Sequence, residues 1–323
     1  MKIRTRNIFL GLGALSAAVT AACAVSYKVT KTLVSTALDR EMPKGLQHKK
    51  PSGRTKPLDA QVYAELAKAS DKLKESEHDI VSITGYDGEN LVGHWFFKPD
   101  SKRIIIAMHG WRSSWVKDFC GVSSFWFDNN CSVLYAEQRG QNESGGDYMG
   151  FGMIERYDCF EWIKWINEHN DSKLPIYLAG ISMGASTVLM TSGFNLPDNV
   201  HGIMADCGFT SAKAIWKHVM KNNMHMSYNI RSKLIEDMCK KKLNITSEEC
   251  TTLQALKDNE IPVLFIHGTE DDFVPIEMTY DNYKACKAPK KLFVVPGASH
   301  GMSYVVDQAG YQKAVKEFWD DFD

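Results

Sequence analysis

Residues 180–184 read Gly-Ile-Ser-Met-Gly. A serine between glycines two places to either side suits a sharp strand-to-helix turn that lifts its hydroxyl clear of the chain, the nucleophile elbow of acyl-transfer enzymes. Glycine is needed at both places because side chains there would collide across the turn. At ~7% usage of Gly and of Ser, a chain of this length holds such a pentapeptide by chance ~0.1 times. The flanks narrow the match further. The run Ile176-Tyr177-Leu178-Ala179 precedes it, and a helical pattern over residues 182–194 follows.

A serine hydroxyl becomes a nucleophile only when a base takes its proton, and the base needs a carboxylate to orient it. In strand-elbow-helix enzymes these partners follow in the order serine, acid, histidine, on loops after later strands. The run Val263-Leu264-Phe265-Ile266 leads into His267-Gly268-Thr269-Glu270-Asp271-Asp272-Phe273-Val274-Pro275. Leu292-Phe293-Val294-Val295 leads into Pro296-Gly297-Ala298-Ser299-His300-Gly301. His300 is the candidate base and Asp271 the candidate orienter, with Glu270 and Asp272 read as an exposed loop tip. His48, His78, His201, His218 and His225 lack this placement.

A tetrahedral oxyanion wants two backbone N–H donors, each worth about 3–4 kcal/mol in the transition state. One donor belongs to the residue after the nucleophile, here Met183. The other comes from the loop after an earlier strand. His109-Gly110-Trp111 follows the run at residues 103–108, which makes Trp111 that donor. Trp111, Trp115, Phe209, Trp216, Met220 and Met224 are the candidate lining of an acyl pocket, since thioethers and aromatic rings adapt to apolar ligands. The wall carries no obvious Lys/Arg cluster, which favours a neutral acyl ester over an anionic substrate.

Other chemistries are disfavoured. There is no His-Glu-x-x-His, no close cluster with metal-ligand spacing, and no Gly-x-Gly-x-x-Gly or Walker pattern. No metal and no cofactor are therefore expected. A net charge of -1 argues against a nucleic-acid partner. With 44% hydrophobic and 24% charged residues the chain is too apolar for a disordered one. Eight cysteines without Cys-x-x-Cys spacing exclude a zinc ribbon, and Cys239 and Cys250 form one pair able to bridge in an oxidising setting.

These loops need strands to carry them. Short unbroken apolar runs at 103–108, 132–136, 176–179, 202–205, 263–266 and 292–295 read as strands covered on both faces. Helical stretches at 115–129, 153–168, 182–194, 277–287 and 304–322 alternate with them. Residues 80–84 and 91–97, joined by Gly85-Tyr86-Asp87-Gly88, read as an antiparallel hairpin. The pattern predicts a mostly parallel twisted sheet with helices on both faces, entered by the hairpin. One connection is too long for a simple crossover. Residues 212–259 hold three helical stretches, at 213–224, 230–241 and 247–258, and read as a helical cap.

From residue 79 onward the sequence resembles the α/β-hydrolase superfamily. More narrowly, it is similar to a branch of bacterial, often membrane-tethered, serine hydrolases. The resemblance rests on His109-Gly110-Trp111, the loop 137–146, residues 180–184, Asp206-Cys207-Gly208-Phe209-Thr210-Ser211, and the two loops after residues 266 and 295. It implies a Ser182–Asp271–His300 triad, a Trp111/Met183 oxyanion hole, a helical cap, a carboxylic-ester or related acyl substrate and no cofactor. A peptidase or an acyltransferase using the same triad is the alternative, and an inactive binding module on this scaffold is another. The family loop commonly reads Asp-x-Arg-Gly-His-Gly-x-Ser. Here Glu137 replaces the Asp, and Gln141-Asn142 replaces the His-Gly.

The N-terminal arm differs in character. Residues 1–56 hold eleven Lys or Arg against Asp39 and Glu41, while the rest holds 27 basic and 37 acidic residues. After Lys2, Arg4 and Arg6, residues 8–27 are uncharged and, as a helix, span about 30 Å, enough for a bilayer core. They read as a signal anchor within residues 1–27, holding an extracytoplasmic domain at a membrane. A cleaved signal peptide that frees a secreted protein, a lipid anchor at Cys23 and a buried core helix are the other readings. Residues 28–57 read as a basic tether to a domain over residues 58–323.

Overall fold

β-branched side chains pack well on pleated surfaces covered from both sides, so the aliphatic runs form strands. The computed structural model describes residues 2–44, 46, 60–171 and 173–323, with residues 2–19 described by backbone alone. The chain begins with α1 (Lys2–Leu38), α2 (Ala60–Glu75), β1 (Asp79–Thr84) and β2 (Asn90–Phe96). Then come β3 (Arg103–Met108), α3 (Trp115–Asp128), β4 (Cys131–Ala136), α4 (Glu155–Glu168), β5 (Ile176–Ile181), α5 (Met183–Thr191) and β6 (Val200–Asp206). Over the sheet lie α6 (Ala212–His218), a single π-helical turn at Val219–Asn223, α7 (Ser232–Leu243) and α8 (Thr252–Asp258). Last are β7 (Val263–Gly268), α9 (Ile276–Ala285), β8 (Lys290–Val295), α10 (Ser303–Val306) and α11 (Gln308–Phe322).

The strands form one sheet in the order β1-β2-β4-β3-β5-β6-β7-β8. β1, β2 and β4 pair antiparallel, and the remaining neighbours pair parallel. The mostly parallel sheet and its antiparallel entry are thus as expected. One face packs against α4, α5, α8 and α9 through Trp162, Val188 and Leu256, and the other against α2, α3 and α11 through Phe119, Trp126 and Trp319. All parallel strands point the same way, so the loops after β3, β4, β5, β7 and β8 share one carboxyl-end rim, where open α/β sheets bind ligands.

Several elements differ from expectation. Residues 304–322 are two helices, because Asp307 caps α11 by accepting from the Gly310 N–H at 2.9 Å. α8 packs against α5 and α9 in the sheet layer, so the cap proper is α6, the π turn and α7. α2 was hidden by its many charges, yet its stripe Leu66, Ala69 and Leu73 packs on the α3 layer. Cys239 and Cys250 lie buried and free.

The largest correction concerns the tether. Residues 28–38 are the end of α1, not a linker, and Thr30, Val34 and Leu38 at four-residue spacing are buried. Residue 45 and residues 47–57 of the tether lie outside the described residues. So do the side chains of residues 8–19 in the expected anchor. Among the described residues no helix is long and apolar enough to cross a membrane.

Candidate active site

The turn between β5 and α5 puts Ser182 at φ 56°, ψ −115°. A non-glycine residue at positive φ stores strain of about 1–3 kcal/mol, and such residues collect at functional sites. The flanking glycines make the turn passable. A Cβ on Gly180 would lie 2.3 Å from the Gly184 carbonyl carbon, and one on Gly184 would lie 1.8 Å from the Met108 carbonyl oxygen. Gly184→Ala is therefore expected to destabilise the fold by at least about 3 kcal/mol, at or beyond the usual top of overpacking costs. Urea denaturation read by tryptophan fluorescence checks this, and a loss below 1 kcal/mol would show that the turn can relax.

The structure brings Ser182, His300 and Asp271 into one hydrogen-bonded line. His300 Nε2 lies 2.9 Å from Ser182 Oγ, and His300 Nδ1 lies 2.7 Å from Asp271 Oδ2. The pattern assigns Nδ1–H as donor to the carboxylate and Nε2 as acceptor of the serine hydroxyl. Asp271, the candidate among three adjacent acids, reaches the imidazole with its carboxylate. Its Oδ1 accepts from the Phe273 and Val274 N–H groups at 3.0 and 2.9 Å, and its Oδ2 lies 3.2 Å from His267 Nε2. Burial works against this charge, but the His300 and His267 imidazoles hold the carboxyl well below the usual carboxylate range. Burial also opposes a charged His300, yet the Asp271 carboxylate beside it raises its pKa well above the usual value.

The loop that carries Trp111 sits against this line. A Cβ on Gly110 would lie 3.5 Å from the Ser182 Cβ. Asp118 of α3 accepts from the Gly110 N–H at 2.7 Å and from the Ser113 hydroxyl at 2.5 Å. Among the described residues neither the Trp111 nor the Met183 backbone N–H is engaged in a hydrogen bond. The Met183 N–H is also at the first turn of α5, the positive end of its dipole. Beneath the loop, His109 Nε2 and Glu137 are 3.0 Å apart. Burial opposes ionisation of Glu137, but His109 and His94 hold it at about 2.

The candidate pocket residues divide. Phe209 and Met220 are buried, and Trp111 and Trp216 partly so, in one apolar cluster with Met183 beneath the cap. Phe151, missed in the sequence, is central to it, with ring centroids 6.1 Å from Trp111, 6.0 Å from Phe209 and 5.3 Å from Trp216. Trp115 is elsewhere. Its ring stacks on His94 of β2 at 4.3 Å, because Trp115, Phe119, Val122 and Trp126 share the stripe of α3 that faces the sheet. Met224 is 44% exposed just past the π turn, outside the residues of that cluster.

Asp206 and Cys207 stand behind the triad, and no role was foreseen for them. The Asp206 carbonyl accepts from the Ser182 N–H at 2.9 Å, and its carboxylate accepts from Ser303 at 3.0 Å. Cys207, Asp271 and His300 bring potential ligand atoms within 4.8 Å of one another, the one such group among the described residues. A metal needs the thiolate, and burial pushes the Cys207 thiol up to about 11. At neutral pH the sulfur keeps its proton, and His300 and Asp271 are already bonded to each other. The donor set is a poor one for a metal.

Residues 118–322 match the prolyl oligopeptidase family. YqkD of Bacillus subtilis is 26% identical over 254 residues, 77% of this chain and 81% of that protein. The solved esterase Pf2001 of Pyrococcus furiosus superposes with a TM-score of 0.63 at 22% identity, over 84% of this chain and 98% of that one. The acylaminoacyl peptidase of Pyrococcus horikoshii does so with a TM-score of 0.56 at 16% identity, over 79% of this chain and 42% of that one. The family match contains Ser182, Asp271 and His300 and covers well over half of the chain. The chain belongs to the prolyl oligopeptidase family and is a serine hydrolase of the α/β-hydrolase fold.

Proposed function

We propose that this serine hydrolase cleaves a neutral carboxylic ester through an acyl-enzyme on Ser182. The observation that carries the reading is the unbroken Ser182–His300–Asp271 hydrogen-bonded line at the elbow. His300 Nε2 takes the hydroxyl proton as Oγ bonds to the substrate carbonyl carbon, and the Trp111 and Met183 N–H groups receive the oxyanion. Collapse expels the alkoxide, which leaves with the proton from His300. A water molecule then gives its proton to His300 and attacks the acyl carbon. The second collapse returns the proton to Ser182 Oγ and releases the acid. Asp271 keeps Nδ1 protonated throughout and stabilises the imidazolium.

The apolar cluster of Phe151, Phe209, Trp216 and Met220 supports an acyl group without charge. Amide hydrolysis is the second reading, favoured by the family match. A fluorophosphonate probe should label Ser182, found by peptide mass. p-Nitrophenyl esters of graded chain length should turn over faster than the p-nitroanilide of the best acyl group. Absence of labelling removes the acyl-enzyme. A faster anilide replaces the esterase by a peptidase.

A further inference from the structure

The end of α1 is bonded to the loop that carries Trp111, and the bonding forms a closed ring. Arg112, next to the candidate oxyanion donor, is held at φ 49°, a left-handed conformation unusual for a long side chain. Its guanidinium reaches across to the N-terminal segment. Nη2 donates to the carbonyls of Thr36 and Asp39 at 3.0 and 2.6 Å, and Nη1 to that of Arg40 at 3.1 Å. Carbonyls at a helix end have no partner within the helix, and a cation there also meets the negative end of the dipole. The Trp111 indole N–H donates to the Ala37 carbonyl at 2.9 Å. Val34 and Leu38 are buried in the apolar cluster that also holds Trp111 and Met183.

The ring closes through Gln141 and Asn142, two of the three residues that depart from the family loop. Gln141 Oε1 accepts from the Arg112 N–H at 2.5 Å, and Asn142 Nδ2 donates to the Ser113 carbonyl at 2.8 Å. Arg40 in turn donates to the carbonyls of Asn142 and Ser144 at 2.6 and 2.5 Å. The Arg40 N–H donates to Asp147, and the Met149 N–H to Leu38. Residues 36–40, 111–113 and 141–149 therefore brace one another. The left-handed Arg112 sits at their centre, and its strain is offset by carbonyls of the last turn of α1 and the two residues after it.

We infer that the C-terminal end of α1 is a strap that positions the oxyanion loop, with Arg112 and the Trp111 indole as its positioning residues. This rests on the acyl-enzyme reading. A donor is useful only where the oxyanion develops, and losing one costs about 10²–10³ in kcat. A donor that stays but drifts loses part of that. The strap acts on the transition state, so it should leave substrate binding in the ground state nearly unchanged.

Arg112→Ala, Arg112→Lys and Trp111→Phe in the full chain test this. Trp111→Phe keeps the backbone donor and removes only the indole bond. Active sites are counted by fluorophosphonate titration, and kcat, KM and the inhibition constant of a trifluoromethyl ketone are measured per titrated site. The ketone forms a hemiketal whose oxyanion needs the same donors. Arg112→Ala should lower kcat about 10–100-fold and weaken the ketone in step, with KM within threefold. Arg112→Lys should recover part of the loss, and Trp111→Phe should lose about fivefold. The strap is overturned if both Arg112→Ala and Trp111→Phe keep kcat per site and ketone affinity within twofold of wild type. A loss confined to the number of titratable sites overturns it too, since Arg112 would then hold the fold and not the loop. If wild type itself neither labels nor turns over, the acyl-enzyme reading has failed instead.

Discussion

Ser182→Ala should remove turnover of p-nitrophenyl acetate almost entirely, with a fall in kcat of about 10⁵–10⁶, while the protein stays folded. The scale follows from the unit behaviour of the site: without the nucleophile, only binding and oxyanion stabilisation remain, and they give about 10³–10⁴ over water. The fold should survive for a local reason. The Ser182 side chain makes one hydrogen bond, to His300, while its backbone bonds to Asp206 and Ser186 do not depend on the hydroxyl. Alanine fits the strained turn as well as serine does, since neither is branched at Cβ. The thermal midpoint should stay within about 4 °C, the shift expected from a loss near 1 kcal/mol in a larger domain. Turnover within tenfold of wild type in that variant, with the midpoint unchanged, would sink the covalent mechanism.

The features most readable in the sequence are those in which one residue type answers one physical demand. β3, β4 and β7 are buried along their whole length, so they read as unbroken apolar runs. The elbow was readable because Gly180 and Gly184 have no substitute at those contact distances. Where several partners could satisfy a residue, the sequence was mute. Trp115 is apolar and near the candidate oxyanion donor Trp111 in the chain, but the turn at Ser114 starts a helix whose period aims it at the sheet. Phe151 sits in a loop with no periodicity, so nothing marked it as central to the cap cluster.

The N-terminal segment is the clearest case of a long-range effect hidden in a local pattern. Residues 28–38 bury Thr30, Val34 and Leu38 and pack Leu33 and Ala37 beside them, a stripe only three turns long that continues an uncharged run and so does not stand out from it. Their hydrogen-bond partners lie far along the chain: Arg112 and Trp111 donate to the carbonyls of Thr36 and Ala37, and Met149 to that of Leu38. A signal was nevertheless present. A loop that abandons its family's usual His-Gly pair while keeping Arg139 and Gly140 must be bonded to something the family pattern does not supply. Arg139 keeps its structural task, gripping Asp158 through two bonds of 2.5 Å and Asp87 at 2.6 Å. Gln141 and Asn142 turn instead toward the loop that holds Trp111.

Asp271→Asn should cut kcat/KM about 10⁴-fold, the scale for losing the correct imidazole tautomer in a Ser-His-Asp site. The loop itself should hold, because the amide oxygen can still accept from the Phe273 and Val274 N–H groups that now bond Oδ1. The amide nitrogen then faces His300 and His267 where a carboxylate oxygen accepted from both. Two donors cannot share one bond, so His300 is driven to carry its proton on Nε2, pointing at Ser182 instead of accepting from it. The pH profile should move as well, and its sign follows from the same carboxylate. Catalysis uses the neutral imidazole, so wild-type kcat/KM rises with pH through a His300 pKa that the Asp271 carboxylate lifts above its ordinary value. Removing the charge of Asp271 removes part of that lift, and the rising limb should shift to lower pH even as its plateau falls. Rates with p-nitrophenyl acetate across pH 5–9 measure both effects. A plateau within tenfold of wild type, or a limb that moves to higher pH, would show that Asp271 does not orient the base.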